Sequence, residues 1–212
     1  MRIAVVSEIS SCAKNRDVAA ALAETGHEII NAGMTGPEDS PALTYLHTAL
    51  LSALLLELEL ADLVVGGCGT GQGFLNAALQ YPGVCCALVT EPLDAWLALR
   101  INRPNCVSLA LNKGYGWAGD VNLRLIAQAL TAPAEEGGYP AERSESQSQS
   151  RALLAEISRG THRPMLEILE SLPASITEPV FACRVLRERI AQAPASALRD
   201  YVAARLKPEA VP

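Results

Sequence analysis

The sequence predicts an α/β fold: a three-layer, Rossmann-like α/β/α sandwich with a five-stranded parallel sheet, followed by a helical C-terminal extension. Two observations predict this class. Short apolar runs alternate with longer helical patterns up to Thr131, which is typical of a parallel sheet covered by helices on both faces. Beyond Thr131 the strand-like runs stop and only helical patterns follow.

The predicted strands are short apolar runs that begin or end near glycine, proline or other turn residues. They cover residues 2–7, 27–31, 61–67, 84–90 and 106–111. The predicted helices alternate with them and cover residues 14–24, 42–59, 74–80, 94–101 and 119–130. Gly26 ends the first helix, and residues 32–41 form a loop rich in turn residues. Since right-handed crossovers bring all strand C-termini to one edge of the sheet, functional residues are expected along that edge.

A change in composition marks the C-terminal extension. Residues 132–140 are linker-like, and residues 144–150 are polar and low in complexity. Three helical segments follow, over residues 151–171, 178–192 and 195–206. The sequence therefore predicts an α/β domain over residues 1–143 and a helical extension over residues 144–212, which packs on the core or on a partner subunit.

Composition excludes several function classes. The net charge of −6, the pI near 5.1 and the low aromatic content of 4% argue against a nucleic-acid surface. The most apolar stretch, residues 49–60, contains Glu57 and Glu59 and is too short to span a bilayer, so no membrane segment is expected.

The cysteines predict a reducing environment and no metal site. None of the six forms a CxxC pair and only three histidines occur, so zinc-site spacing is absent. Cys85, Cys86 and Cys106 lie in apolar strand-like runs, which predicts buried thiols that pack as small apolar side chains. Free thiols and the lack of a signal-peptide pattern predict a cytoplasmic protein.

A glycine-dense turn is the most informative local feature. The segment Cys68-Gly69-Thr70-Gly71-Gln72-Gly73 follows the third strand and precedes a helix. Such a turn directs several backbone N–H groups into one concavity, which suits a phosphate or a developing oxyanion. A thiol at its rim is placed to act as a nucleophile or a base.

Other glycine motifs fit this turn less well. Its GxGxG spacing and its place after the third strand differ from the dinucleotide fingerprint, and no GK[ST] sequence closes it as in a P-loop. A cysteine-phosphatase loop needs an arginine soon after the thiol, whereas the next arginine is Arg100. A tight turn that serves only helix–strand packing remains an alternative, although it needs fewer glycines.

The segment over residues 62–73 resembles the signature of ribose-5-phosphate isomerase B and galactose-6-phosphate isomerase, the RpiB/LacAB family. Supporting matches flank it in the family's order: Pro82-Gly83-Val84, Glu91-Pro92, Asn102 with Asn105, and Glu135-Glu136-Gly137-Gly138. The resemblance covers residues 1–143. The extension lies outside the usual family length, although a longer branch of the family carries one.

The resemblance implies an aldose–ketose isomerisation through a cis-enediol(ate), with the ribose 5-phosphate/ribulose 5-phosphate pair as the default substrates. By this analogy Cys68 is the general base, and Thr70 with the Gly69–Gly73 backbone stabilises the negative oxygen. The implied substrate- or anion-binding residues are Glu8, Gly69, Gly71, Gly73, Asn102 and Arg143. The family also implies no cofactor or metal, a sugar or sugar phosphate as ligand, and a homodimer or dimer of dimers with shared active sites.

Several positions depart from the family pattern. Glu8-Ile9 stands where the family has Asp-His, so the phosphate-contacting histidine is missing. Ile101 replaces the histidine that opens the sugar ring, and isoleucine cannot move protons. Tyr139 and Arg143 stand where the family has two arginines. These departures bear on substrate identity more than on the proton transfer itself.

Three more residues are candidates for the site. Lys14 could contact an anion, or could be a solvated helix residue. Tyr45 and His47 lie near the family's substrate-side tyrosine, but a lone histidine on an apolar helix is more often structural. The loop over residues 112–117 has two aromatic side chains, which could stack on a sugar or pack against the extension.

Two functions from other classes stay open. One is a non-catalytic sugar-phosphate binding module, which would bind without exchanging substrate hydrogen for solvent deuterium. The other is a different thiol-dependent small-molecule enzyme, such as a transferase or lyase, which would form a covalent adduct at Cys68.

Overall fold

A computed structural model describes residues 1–133 and 138–206 and confirms the predicted class. Its five strands form one parallel sheet in the order β2-β1-β3-β5-β4. They are β1 Arg2–Val6, β2 Glu28–Asn31, β3 Leu63–Cys68, β4 Cys86–Val89 and β5 Cys106–Ala110. Each strand lies within its predicted run or exceeds it by one residue.

Among the described residues, five α-helices connect the strands or follow the sheet, and five more belong to the extension. The first set is α1 Asn15–Ala23, α2 Tyr45–Glu57, α3 Gln72–Ala78, α4 Pro92–Leu97 and α5 Gly119–Thr131. The second set is α6 Ser144–Thr161, α7 Met165–Ser171, α8 Ala174–Phe181, α9 Arg184–Arg189 and α10 Ala197–Ala203.

The extension differs from the prediction in three places. One is the segment predicted over residues 178–192, which begins earlier and is divided into α8 and α9. The polar stretch over residues 144–150 is helical, because contacts four residues apart satisfy its side chains; for example, Ser150 Oγ donates to Ser146 O at 2.9 Å. The single helix predicted over residues 151–171 is divided in two, because Pro164 lacks the N–H that would continue α6 and instead precedes α7.

The sheet is covered on both faces. On one face, α1, α4 and α5 pack against the strands in a cluster that includes Val5, Val65 and Ile126. On the other face, α2 and α3 pack with most of the extension in a larger cluster. The side chain of Cys68 belongs to that second face, together with Val64 and Phe74.

Helix α2 explains where the extension packs. All residues from Thr48 to Leu55 are buried, and a helix that is apolar all round must be covered on every side. The sheet covers one side of α2, and residues of α7 to α10 such as Leu169, Phe181 and Val202 join the same cluster on the other. This part of the extension therefore packs on the core of its own chain.

Helix α6 and strand β4 are more exposed to solvent than the other elements just described. No residue of α6 is buried, and Leu153, Leu154 and Ile157 are each at least half exposed. β4 is an edge strand, so Cys85 and Cys86 are only partly buried, contrary to the prediction, whereas Cys106 on the adjacent strand is fully buried. None of the helices in the described ranges has the length and hydropathy needed to cross a membrane.

We expect Gly66→Ala to destabilise the fold. A methyl group on Gly66 would lie 2.5 Å from the ring of the fully buried Phe74, so β3 and α3 would have to separate at the base of the glycine turn. Overpacking of this kind costs about 1–3 kcal/mol. Chemical denaturation should show this loss, whereas the control Gly36→Ala, with open space around it, should leave the free energy of unfolding nearly unchanged. Equal stability of the two variants would contradict the packing argument.

Candidate active site

Cys68 lies at the carboxyl edge of the sheet. It is the last residue of β3, paired with Ala110 of β5, and it is 7% exposed. Burial raises the pKa of Cys85 and Cys183, and a hydrogen bond with Cys86 together with burial raises that of Cys106. These three thiols therefore stay protonated at neutral pH.

The turn after Cys68 requires glycine at Gly71. This residue has φ +77°, and a methyl group on it would lie 2.5 Å from Leu88 Cδ1. Its carbonyl accepts a hydrogen bond of 2.6 Å from Ser108 Oγ, which fixes the turn to β5. α3 then begins at Gln72.

Several N–H groups of the turn have no acceptor among the described residues. Gly69 N donates to Ser10 Oγ at 3.2 Å, and Gln72 N donates to Thr70 Oγ1 at 3.3 Å. No hydrogen bond within the described ranges uses the N–H groups of Thr70, Gly71 and Gly73. α3 has only seven residues, so these oriented donors, rather than a long helix dipole, would hold an oxyanion.

Glu8 lies at the end of β1, on the same edge of the sheet. The residue is 3% exposed, and its carboxylate accepts a hydrogen bond of 3.1 Å from Ser10 N and another from Ser10 Oγ. Ile9, at the position where the family has histidine, is 40% exposed beside it. The acidic candidate is thus connected to the glycine turn through Ser10.

Lys14 is linked to the same turn through Asn112. Its Nζ donates to Asn112 Oδ1 at 2.9 Å, and Asn112 N donates to Gly69 O at 3.0 Å. Lys14 Nζ also lies 5.7 Å from the centre of the Tyr115 ring. The tyrosine donates to Asp17 Oδ2 at 2.5 Å, so it is fixed to α1.

Tyr45 and His47 lie at the start of α2. A methyl group on Gly73 would lie 3.4 Å from the Tyr45 ring, so the tyrosine borders the glycine turn. Both nitrogens of His47 have protein partners: Nδ1 accepts from Thr44 N at 2.9 Å, and Nε2 lies 3.0 Å from Ser175 O. In this chain His47 caps α2 and contacts the extension.

Asn102 and Arg143 do not join the other candidates within one chain. Asn102 is exposed and precedes the start of β5, whereas Cys68 pairs with the last residue of β5. That strand of five residues spans about 13 Å. Asn102 therefore lies near the amino-terminal ends of the strands, whereas Cys68 lies at their carboxyl ends. Arg143 is exposed just before α6, and Glu135-Glu136-Gly137 lie outside the described residues.

The structure adds two residues that the sequence interpretation did not assign, Ser10 and Asn112. Ser10 lies four residues after the end of β1 and Asn112 two residues after the end of β5, so both lie in loops at the edge where functional residues were expected. Their position in the sequence could therefore have identified them as site candidates. Trp117, in the same loop as Asn112, is fully exposed and contacts neither the glycine turn nor the extension.

Comparisons with known proteins identify the family of the chain. Residues 3–144 match the profile of the family LacAB_rpiB, described as Ribose/Galactose Isomerase. A crystal structure of 4-deoxy-L-threo-5-hexosulose-uronate ketol-isomerase, complexed with a tartrate, is 33% identical with a TM-score of 0.93, covering 97% of this chain and 99% of that one. A comparison with curated proteins gave no significant match.

Two further structures carry ribose-5-phosphate isomerase names. One from Vibrio parahaemolyticus is 35% identical with a TM-score of 0.93, covering 97% of this chain and 99% of that one. Isomerase B from Clostridium thermocellum, 23% identical with a TM-score of 0.63, covers 76% of this chain and 100% of its own, and shares the fold. The match over residues 3–144 shows that the chain belongs to the ribose/galactose isomerase family.

Proposed function

We propose that this chain is an aldose–ketose isomerase with Cys68 as its general base. The observation that carries the proposal is the thiol at the end of β3, followed at once by a turn whose N–H groups at Thr70, Gly71 and Gly73 have no acceptor in the described protein. A base and an oxyanion site are thus adjacent, as proton transfer beside a carbonyl requires.

The reaction balances within the substrate. The Cys68 thiolate removes the proton from C2 of the open-chain aldose, and the electron pair forms a cis-enediolate with the charge on O1. The free N–H groups and Thr70 stabilise that oxygen. The hydroxyl proton passes from O2 to O1, and the thiol returns its proton to C1, which gives the ketose. Both electrons stay in the substrate, so this step needs no redox cofactor.

The substrate we propose is anionic. Lys14 is joined through Asn112 to Gly69 and brings a positive charge to the edge of the turn. A phosphate or a carboxylate on the far end of a short sugar would suit this charge. The ribose 5-phosphate/ribulose 5-phosphate pair is the default candidate.

A specific observation favours a second candidate, an open-chain sugar acid. Ile9 and Ile101 stand where the family pattern has histidines for phosphate contact and ring opening. A 4-deoxy-5-hexosulose-uronate has no hydroxyl at C4 or C5 with which its aldehyde could close a five- or six-membered ring. Such a substrate needs no ring-opening group and has a carboxylate in place of a phosphate.

Hydrogen exchange in deuterated water tests the function and separates the two substrates. We expect deuterium at C1 or C2, and faster exchange with the 4-deoxy-5-hexosulose-uronate than with ribose 5-phosphate, because only the phosphate ester must be ring-opened. Free ribose serves as the uncharged control, and NMR measures the incorporation. Binding without exchange would indicate a binding module, and a covalent adduct at Cys68 in the mass spectrum would indicate another thiol chemistry.

We also propose that the active form is a homodimer with shared sites. α6 has no buried residue, and between it and β4 lies a mainly apolar groove of ≈ 620 Å³ whose rim includes Asn102 and Arg103. A second copy would cover the exposed Leu154 and Ile157. It would also explain how Asn102, far from Cys68 in its own chain, serves the site of the other subunit.

A further inference from the structure

We infer that Ser10 is a positioning residue for the oxyanion site and that Glu8 acts through it. The inference rests on the proposed function, because it assigns a task within the same site. Ser10 lies outside the glycine motif and is exposed at the rim of the glycine turn. Three sets of contacts carry the argument.

Ser10 joins a buried carboxylate to the turn. Its Oγ accepts the N–H of Gly69 at 3.2 Å and donates to Glu8 Oε1, while Ser10 N donates to Glu8 Oε2 at 3.1 Å. Both oxygens of Glu8 therefore bond to one serine. Within the described ranges no cation forms an ion pair with Glu8, so its charge acts on the hydroxyl of Ser10. A charge-assisted bond makes that hydroxyl oxygen a better acceptor for Gly69.

The loop after β5 holds the other side of the turn. Cys68 O accepts from Leu111 N at 3.0 Å, and Gly69 O accepts from Asn112 N at 3.0 Å and from Lys113 N at 2.8 Å. The side chain of Asn112 also donates to Ser10 O at 2.9 Å, which ties the loop to Ser10.

These bonds orient the free donors. In a trans peptide the C=O and N–H groups point in opposite directions. Because the Cys68 and Gly69 carbonyls both bond to the loop after β5, the N–H groups of Gly69 and Thr70 both point away from it. Gly69 N–H is bonded to Ser10, which leaves Thr70 N–H as the first free donor of the oxyanion site.

The test combines Ser10→Ala, Glu8→Gln and the double variant. We expect Ser10→Ala to lower kcat, or the rate of deuterium exchange, about tenfold with little change in KM, because a misaligned donor weakens the transition state more than ground-state binding. Ser10→Thr keeps the hydroxyl and should recover most of the rate. The double variant should be no slower than Ser10→Ala alone, since Glu8 acts through Ser10.

Ser11→Ala is the matched control, because Ser11 Oγ bonds to the carbonyl oxygen of Glu8 and not to Gly69. An activity-independent measurement is amide hydrogen exchange over residues 69–73, which should become faster in Ser10→Ala and not in Ser11→Ala. Unchanged amide exchange in Ser10→Ala, a wild-type or higher kcat, or losses that multiply in the double variant would each overturn the inference. If Cys68→Ala keeps full activity, the proposed function fails instead.

Discussion

Cys68→Ala is expected to lower the rate of deuterium exchange into the substrate by about 10²- to 10⁴-fold, the usual contribution of a positioned general base. The reason is local. In the proposed mechanism the thiol at the end of β3 transfers the proton, and the free N–H groups of the turn begin two residues later. The donors can stabilise an enediolate only after a base has made it.

A measurement of substrate affinity distinguishes the loss of the base from damage to the binding site. The N–H groups of the turn and Lys14 remain in the variant, so calorimetry should give a substrate affinity close to that of the wild type. Cys68→Ser is expected to be nearly as slow, because a serine hydroxyl is a far weaker base than a thiolate. The matched control is Cys183→Ser, in which the hydroxyl can still donate to Ala32 O. Wild-type exchange by Cys68→Ala would exclude the thiol as the base.

The sheet could be predicted from the sequence because each strand is a short apolar run next to turn residues. Buried parallel strands are apolar on both faces, and that pattern is local in the chain. The turn after Cys68 could be predicted for the same reason, since its glycines lie at every second position of one short segment and one of them has a positive φ.

The contacts of Ser10 and Asn112 could not be predicted with the same ease. Ser10 lies 59 residues from Gly69 and 102 residues from Asn112, so no local pattern records these hydrogen bonds. They form because the sheet order β1-β3-β5 makes the three strand ends neighbours. The order of strands itself is a long-range property.

The position of Asn102 shows a different limit of prediction from the sequence. The family motif assigns Asn102 to the site. Within one chain, however, Asn102 and Cys68 lie near opposite ends of β5. The two statements agree only if the site includes a second subunit. The exposed face of α6, which has no buried residue, is where we propose that this subunit binds.

A charge on that face should therefore separate the subunits and inactivate the enzyme. Leu154 is 50% exposed and lines the groove between α6 and β4, so Leu154→Asp would introduce a carboxylate into the contact. We expect a change from dimer to monomer in sedimentation analysis and a large loss of exchange activity. Leu125→Asp, on the similarly exposed face of α5, is the matched control and should remain a dimer.

Mixing two inactive variants tests whether the sites are shared. Cys68→Ala keeps Asn102 and Arg143, and the double variant Asn102→Ala/Arg143→Ala keeps Cys68. In a mixed dimer with shared sites, one site carries both defects and the other carries none. An equal mixture, unfolded and refolded together, should regain about one quarter of the wild-type activity, since half of the dimers are mixed and each has one intact site. If each chain held a complete site, mixing would restore nothing, and the shared-site proposal would be wrong.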